Sequence, residues 1–233
     1  MGHRDRASSR NNKGNVGKTS ACAYCGRIGS PLEKEHVIPS SLYPSKRFSK
    51  VQRITIPACS ECNRGWSKDE PHFRNVMLLA GESNNAVKEL WVSKLLPSLE
   101  KKDGYSRLLA LAQQFVPVVV DGQNRSMIYP HNDPQVTNIL RKIVRGLSSF
   151  HGLGDAIPDT HVRILPDIYK LPEDFLLTLT HTHREEDVVQ YSFGKGDMEG
   201  IRSFWRLTFF ERRTFLGVVL EEPLCLPSKT LRI

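Results

Sequence analysis

Two Cys-X-X-Cys pairs, Cys22/Cys25 and Cys59/Cys62, constrain this chain more than any other feature. Such a turn sets two sulfurs on one side of an ion with little strain, and tetrahedral zinc wants four ligands of this kind. Two turns therefore close one structural site. The 33 residues between Cys25 and Cys59 exceed the spacing of a common zinc ribbon, so an element must be inserted between the knuckles. Paired knuckles favour metal over disulfides in a reducing compartment. Cys225 stands far downstream and reads as a lone thiol.

The insert contains Glu35-His36-Val37-Ile38-Pro39, and the second knuckle runs directly into Asn63-Arg64-Gly65-Trp66-Ser67-Lys68-Asp69-Glu70. Together with the cysteine pairs, this pattern over residues 22–70 resembles the HNH nuclease family. The resemblance implies a ββα-metal fold, in which a β-hairpin carries the acidic-His pair and a helix carries the last metal ligand. It also implies that a four-cysteine structural Zn2+ holds hairpin and helix together. The middle asparagine of the family pattern falls at position 54, which is Ile54 here, with Thr55 as a neighbouring polar substitute. In the family that asparagine braces the loop presenting the histidine.

The chemistry of these residue types agrees with the resemblance. A phosphodiester is cleaved when a deprotonated water attacks phosphorus in line while a cation takes up charge on the phosphate and leaving oxygen. His36 suits the general base, because imidazole titrates near neutral pH. Glu35 is a hard oxygen donor suited to a catalytic Mg2+ or Mn2+ ion. Asn63 stands where the family places its final metal ligand. Arg64 and Lys68 on the same short helix are placed to grip neighbouring phosphates. Asp69, Glu70 and His72 read as a solvated first helical turn, with Glu70 within reach of a position behind the metal ligands.

Charge points to the same partner. The chain carries a formal net charge of +8, and all of it lies in residues 1–75, with 14 Lys/Arg against 6 Asp/Glu; the remainder balances. Four zinc-bound thiolates would lower this region to about +6. A polyanion, nucleic acid and by family precedent DNA, is the expected partner. A non-catalytic zinc-dependent nucleic-acid-binding module with a degenerate site is the alternative. No apolar run is long enough to cross a bilayer and no apolar secretory leader opens the chain, so no membrane partner is expected and a cytoplasmic location follows by default. The C-terminal part leaves room for a protein partner or a homo-oligomer. Settings such as defence or mobile elements fit the resemblance.

Residues 1–20 hold almost no large apolar side chains and read as a disordered basic tail. The stretch 13–20, Lys-Gly-Asn-Val-Gly-Lys-Thr-Ser, imitates a phosphate-binding loop but lacks the preceding buried strand. A strand is expected over 51–57 and a helix over 63–79, interrupted near Pro71. Amphipathic helices are expected over 86–96 and 106–115, then a hairpin joining 116–120 to 126–129. Asp133-Pro134 starts a helix through Ser148 with apolar residues at helical spacing. Strands are expected over 175–182, 188–193, 203–211 and 214–220, the last two forming a hairpin across Arg212-Arg213. Phe204, Trp205, Phe209, Phe210 and Phe215 read as alternating core rather than a base-stacking platform, and His181 and His183 as sheet residues. The fold class is α+β. A zinc-stapled HNH module over 21–80 precedes a helical plus antiparallel-sheet domain over 81–233.

Overall fold

The computed structural model describes residues 21–44, 53–79, 84–113, 116–120, 122–127, 133–166, 171–179, 181–185, 187–196 and 198–223. The basic tail, its imitation phosphate loop and Cys225 lie outside these residues. The architecture is mixed helix and antiparallel sheet.

Near the N-terminus, β1 (Leu32–His36) pairs antiparallel with β2 (Thr55–Cys59), setting Glu35 opposite Ile56 and His36 opposite Thr55. The five-residue helix α1 (Ser60–Arg64) follows at once. The expected helix 63–79 breaks upstream of Pro71, across a turn at residues 65–68, and resumes as α2 (Asp69–Leu79). Pro71 falls in the first turn of α2, where its missing N–H is not needed. Asp69 and Glu70 complement the positive end of the helix dipole there.

A helical stretch comes next. Its first part, α3 (Asn85–Leu90), is capped by the Asn84 side chain accepting from the Val87 N–H at 3.0 Å. It runs on through a π-helical turn (Trp91–Leu95) into α4 (Leu96–Leu99). The following α5 (Gly104–Ala112) approaches α4 so closely that a Cβ on Gly104 would lie 2.1 Å from the Ser98 carbonyl oxygen, so only glycine fits. The hairpin of β3 (Val116–Val120) and β4 (Gln123–Met127) forms as expected, though its second strand begins three residues earlier than expected.

The longest helix is α6 (Pro134–Phe150). Asp133 caps it by accepting from the Val136 N–H at 2.8 Å, and Pro134 opens its first turn. Val136, Ile139, Leu140, Ile143, Val144 and Leu147 form its buried stripe. The large sheet has the order β5-β9-β8-β7-β6, formed by β5 (Val162–Pro166), β6 (His181–Glu185), β7 (Val189–Lys195), β8 (Ile201–Phe209) and β9 (Arg213–Leu220). Ser203, Trp205, Leu207 and Phe209 alternate inward along β8, as period two requires. Trp205 and Phe193 stack across strands at 4.8 Å. Burial of Trp205, Phe209 and Phe210 makes them core, with no ring face left for a base.

Three local expectations are corrected. Residues 175–182 are not one strand, because α7 (Glu173–Thr178) forms first and β6 begins only at His181. Two acidic residues after Pro172 favour a helix start, and Phe175-Leu176-Leu177 lacks the alternation of a half-buried strand. The β8–β9 turn is centred on Phe210 and Glu211, both at positive φ, rather than on Arg212-Arg213. Arg212 N–H donates to the Phe209 carbonyl at 3.1 Å, closing a turn of the handedness that hairpin twist demands. The buried Phe210 ring offsets the cost of its left-handed backbone. The third correction is β5, a strand the sequence reading does not anticipate; Leu165 is exposed and only Val162 is fully buried.

One continuous apolar cluster joins Tyr24, Val37, Ile56 and Phe73 to Ile143, Leu147, Trp205 and Val219. Helix α6 makes the junction. A Cβ on Gly146 would lie 2.9 Å from both the Tyr24 hydroxyl and Val37, so glycine lets this helix press onto the knuckle region. Arg145 adds two bonds, donating to the carbonyls of Tyr24 at 2.7 Å and Ile157 at 2.6 Å. No described helix is long and apolar enough to cross a membrane.

Candidate metal centre and the groups around it

Cys22 and Cys25 lie in the turn before β1, while Cys59 ends β2 and Cys62 lies on α1. Their sulfurs all fall within 4.8 Å of one another, with Cys25 and Cys59 at 3.9 Å. Zinc–sulfur bonds of about 2.3 Å in a tetrahedron put sulfurs about 3.8 Å apart, so the four fit one ion such as zinc. Among the described residues this is the one group of three or more His, Cys, Asp or Glu side chains close enough to share an ion.

The electrostatics favour a cation there. Burial raises the Cys22 thiol, but the backbone N–H groups of Cys59, Cys25 and Tyr24 outweigh it and bring the thiol down to about 6. Burial first, and then the neighbouring sulfurs, push Cys62 well up. Four adjacent thiolates cannot all ionise without a positive charge among them. A single ion at the centre would link the first knuckle, β2 and α1.

On β1, alternate residues share a face. Glu33 and Glu35 lie on one side, and His36, the last residue of the strand, on the other. Asn63 donates through Nδ2 to the Glu33 carboxylate, and Arg64 lies 4.0 Å from Glu33. Thus α1 packs its Asn63 side onto the strand that carries Glu35 and His36. Asn63 reaches Glu33 rather than Glu35.

Glu35 is buried, and its Oε1 lies 2.5 Å from Lys142 Nζ. Lys142 comes from the middle of α6, is fully buried, and also donates to Glu70 Oε1 at 2.7 Å. Its ammonium sits 5.3 Å from the centre of the Trp66 ring. Burial raises the Glu35 carboxyl, Lys142 opposes it, and the Glu70 and Glu33 carboxylates raise it further. The half-buried Glu70 is therefore part of a triad around the buried Lys142, and Asp69 is similarly engaged, accepting from Gln135 at 3.1 Å and Asn138 at 3.3 Å. The solvated first turn expected of Asp69 and Glu70 is instead the seam between α2 and α6. His72 joins the same seam, 3.3 Å from Asp133.

His36 is half-buried, with its Nδ1 buried. The chain leaves the hairpin directly after it, with the Val37 N–H donating to the Ile54 carbonyl at 3.1 Å. The N–H of Ile54 donates in turn to Glu185 Oε1 at 3.2 Å, and the Tyr43 hydroxyl donates to the other oxygen of Glu185. Glu185, from β6 and almost fully buried, thus holds both Tyr43 and Ile54, which follow His36 in the chain. Lys142 and Glu185 are the two residues that sequence reasoning missed. Neither gave a local signal: Lys142 stands beside the apolar stripe of α6 rather than in it, and Glu185 ends a polar strand.

Comparison of the chain with protein-family models, with curated proteins and with solved structures finds no match in any of the three.

Proposed function

We propose that the chain is a metal-dependent endonuclease of HNH type that hydrolyses phosphodiester bonds in nucleic acid, DNA by family precedent. The observation that carries this reading is the fit of the four sulfurs to one ion, since they link the first knuckle, β2 and α1 around the strand bearing Glu35 and His36. His36 takes the proton from the attacking water, whose oxygen bonds to phosphorus as the leaving oxygen departs. Glu35 and Asn63 would hold Mg2+ or Mn2+ through their side-chain oxygens, and the ion would supply charge neutralisation at the phosphate. Lys142 leaves Oε2 of Glu35 for that purpose, since its contact is to Oε1. Arg64 ends α1 and Lys68 lies in the turn that follows rather than on the same helix; both are exposed and able to hold flanking phosphates.

Ile54 removes the side chain that the family uses to brace the histidine loop, and the Glu185 contacts to Ile54 and Tyr43 supply a substitute brace from the sheet. A plasmid-nicking assay with Mg2+ or Mn2+ tests the reading. Wild type should nick, and His36→Ala should lose cutting by about 100-fold or more while keeping its zinc. Equal cutting by both removes His36 from the chemistry.

A second reading rests on Lys142. Its ammonium on Glu35 places a fixed cation beside the carboxylate that would bind a divalent ion, as in a zinc module that binds nucleic acid without cutting it. Duplex binding with no divalent-dependent nicking in the wild type would favour that reading.

A further inference from the structure

A cleft of about 860 Å³ opens between α2, the π-helical turn, α4, α5 and the start of α6. Five cations line it: Lys68, Arg74, Lys94, Lys101 and Arg107. No Asp or Glu lines it, and none of the five makes an ion pair with a carboxylate among the described residues. Two acids beside the lining are already engaged, Asp133 by His72 and the cap of α6, and Asp69 by Gln135 and Asn138.

These charges stand against a cost. Arg74 is half-buried and donates at 2.8 and 3.1 Å to the neutral side-chain amide oxygen, Oδ1, of Asn75. Burial, and after it the positive charges of Arg74 and Arg53, pull the Lys94 ammonium below its ordinary range. Lys94 is nonetheless held in place, donating to the carbonyls of Ser40, Ser41 and Tyr43 at 3.3, 3.2 and 2.8 Å. The cleft thus borders the loop that follows His36 and is continuous, through Lys68, with the segment that carries Asn63 and Arg64. Clustered, uncompensated cations in a concave surface make an anion site.

We infer that this cleft binds a run of phosphates from the sugar-phosphate backbone of a nucleic-acid strand, extending the substrate path from Arg64 and Lys68 across α5. The assignment as substrate path rests on the nuclease reading, whereas phosphate binding does not. A free nucleotide shares the phosphate chemistry but fits less well. The lining holds no Phe, Tyr or Trp to stack a base, while its cations come from several elements, as a chain of phosphates requires.

The test measures binding of a fluorescein-labelled DNA duplex of about 20 base pairs across about 50–200 mM salt, with no divalent ion added. The full chain is compared with Lys101→Gln/Arg107→Gln and with Lys195→Gln/Arg202→Gln. All four side chains are exposed, so both variants keep the fold, and both lower the charge by the same amount. The cleft pair should bind at least about tenfold more weakly at low salt, with the slope of log affinity against log salt reduced by about 2. The pair on the sheet should stay within about twofold of wild type. Equal weakening by both pairs would overturn the cleft in favour of net charge alone. Duplex binding unchanged in the cleft pair overturns it too, as does loss of only a fluorescent ATP analogue, which would make it a nucleotide site. If wild type binds through the cleft but never nicks DNA, the nuclease reading fails while the phosphate site stands.

Discussion

The β1–β2 hairpin and the five-stranded sheet, which meet α6 on different faces, are held by different forces. The five-stranded sheet buries Trp205, Leu207, Phe209, Tyr191 and Val219 in the core it shares with α6 and α2, and apolar burial is enough to hold it. The β1–β2 hairpin has two strands of five residues, and β1 reads Leu-Glu-Lys-Glu-His. An isolated two-stranded hairpin is marginal in water. It depends on the sulfur cluster and Arg145 of α6 at one end, and on Lys142 of α6 further along β1. The region that carries the proposed chemistry is thus the one that cannot fold on its own apolar surface.

The largest expected effect is metal removal. Structural zinc contributes an apparent stabilisation of about 10–16 kcal/mol, as large as the net stability of a whole domain. Chelation, or Cys59→Ser, should expose the β1–β2 amides to hydrogen exchange while those of β7, β8 and β9 stay protected. Uniform loss of protection in both sheets would break the comparison. Next comes Lys142→Met, which leaves the buried Glu35 and the half-buried Glu70 without a cation and should cost about 3–5 kcal/mol in urea unfolding. Adding Glu35→Gln should recover part of that loss, and strictly additive losses would remove the ion pair from the account. Trp205→Ala sharpens the contrast from the other side. It should cost a similar amount, about 3–5 kcal/mol, while zinc content by metal analysis stays at one per chain. The smallest effect is Asp133→Ala, which removes the cap of α6 and should cost about 1 kcal/mol in thermal unfolding.

The same contrast explains what could be read without coordinates. α6 was legible because Asp133-Pro134 and its apolar stripe are local signals, and β7, β8 and β9 because Tyr191, Phe193, Trp205 and Leu207 alternate. The four cysteines were legible because their spacing alone specifies a shared ion. What escaped was non-local. Nothing in the segment around Lys142 says that it meets Glu35, more than a hundred positions earlier, or that Glu185 reaches Ile54 and Tyr43. The basic cleft escaped for the same reason: Lys94, Lys101 and Arg107 belong to a stretch whose charges balance overall, and only packing against α2 gathers them beside Lys68 and Arg74. The strand expected over 175–182 failed because Pro172 and two acids started a helix that a run of apolar residues had masked.

The most direct test of the proposed centre is titration of the zinc-loaded chain with Mn2+, followed by electron paramagnetic resonance. Wild type should take up one Mn2+ beyond the zinc, and Glu35→Gln should lose that site while its zinc is retained. Identical Mn2+ uptake by the two proteins, or none by the wild type, would contradict a catalytic divalent ion on Glu35.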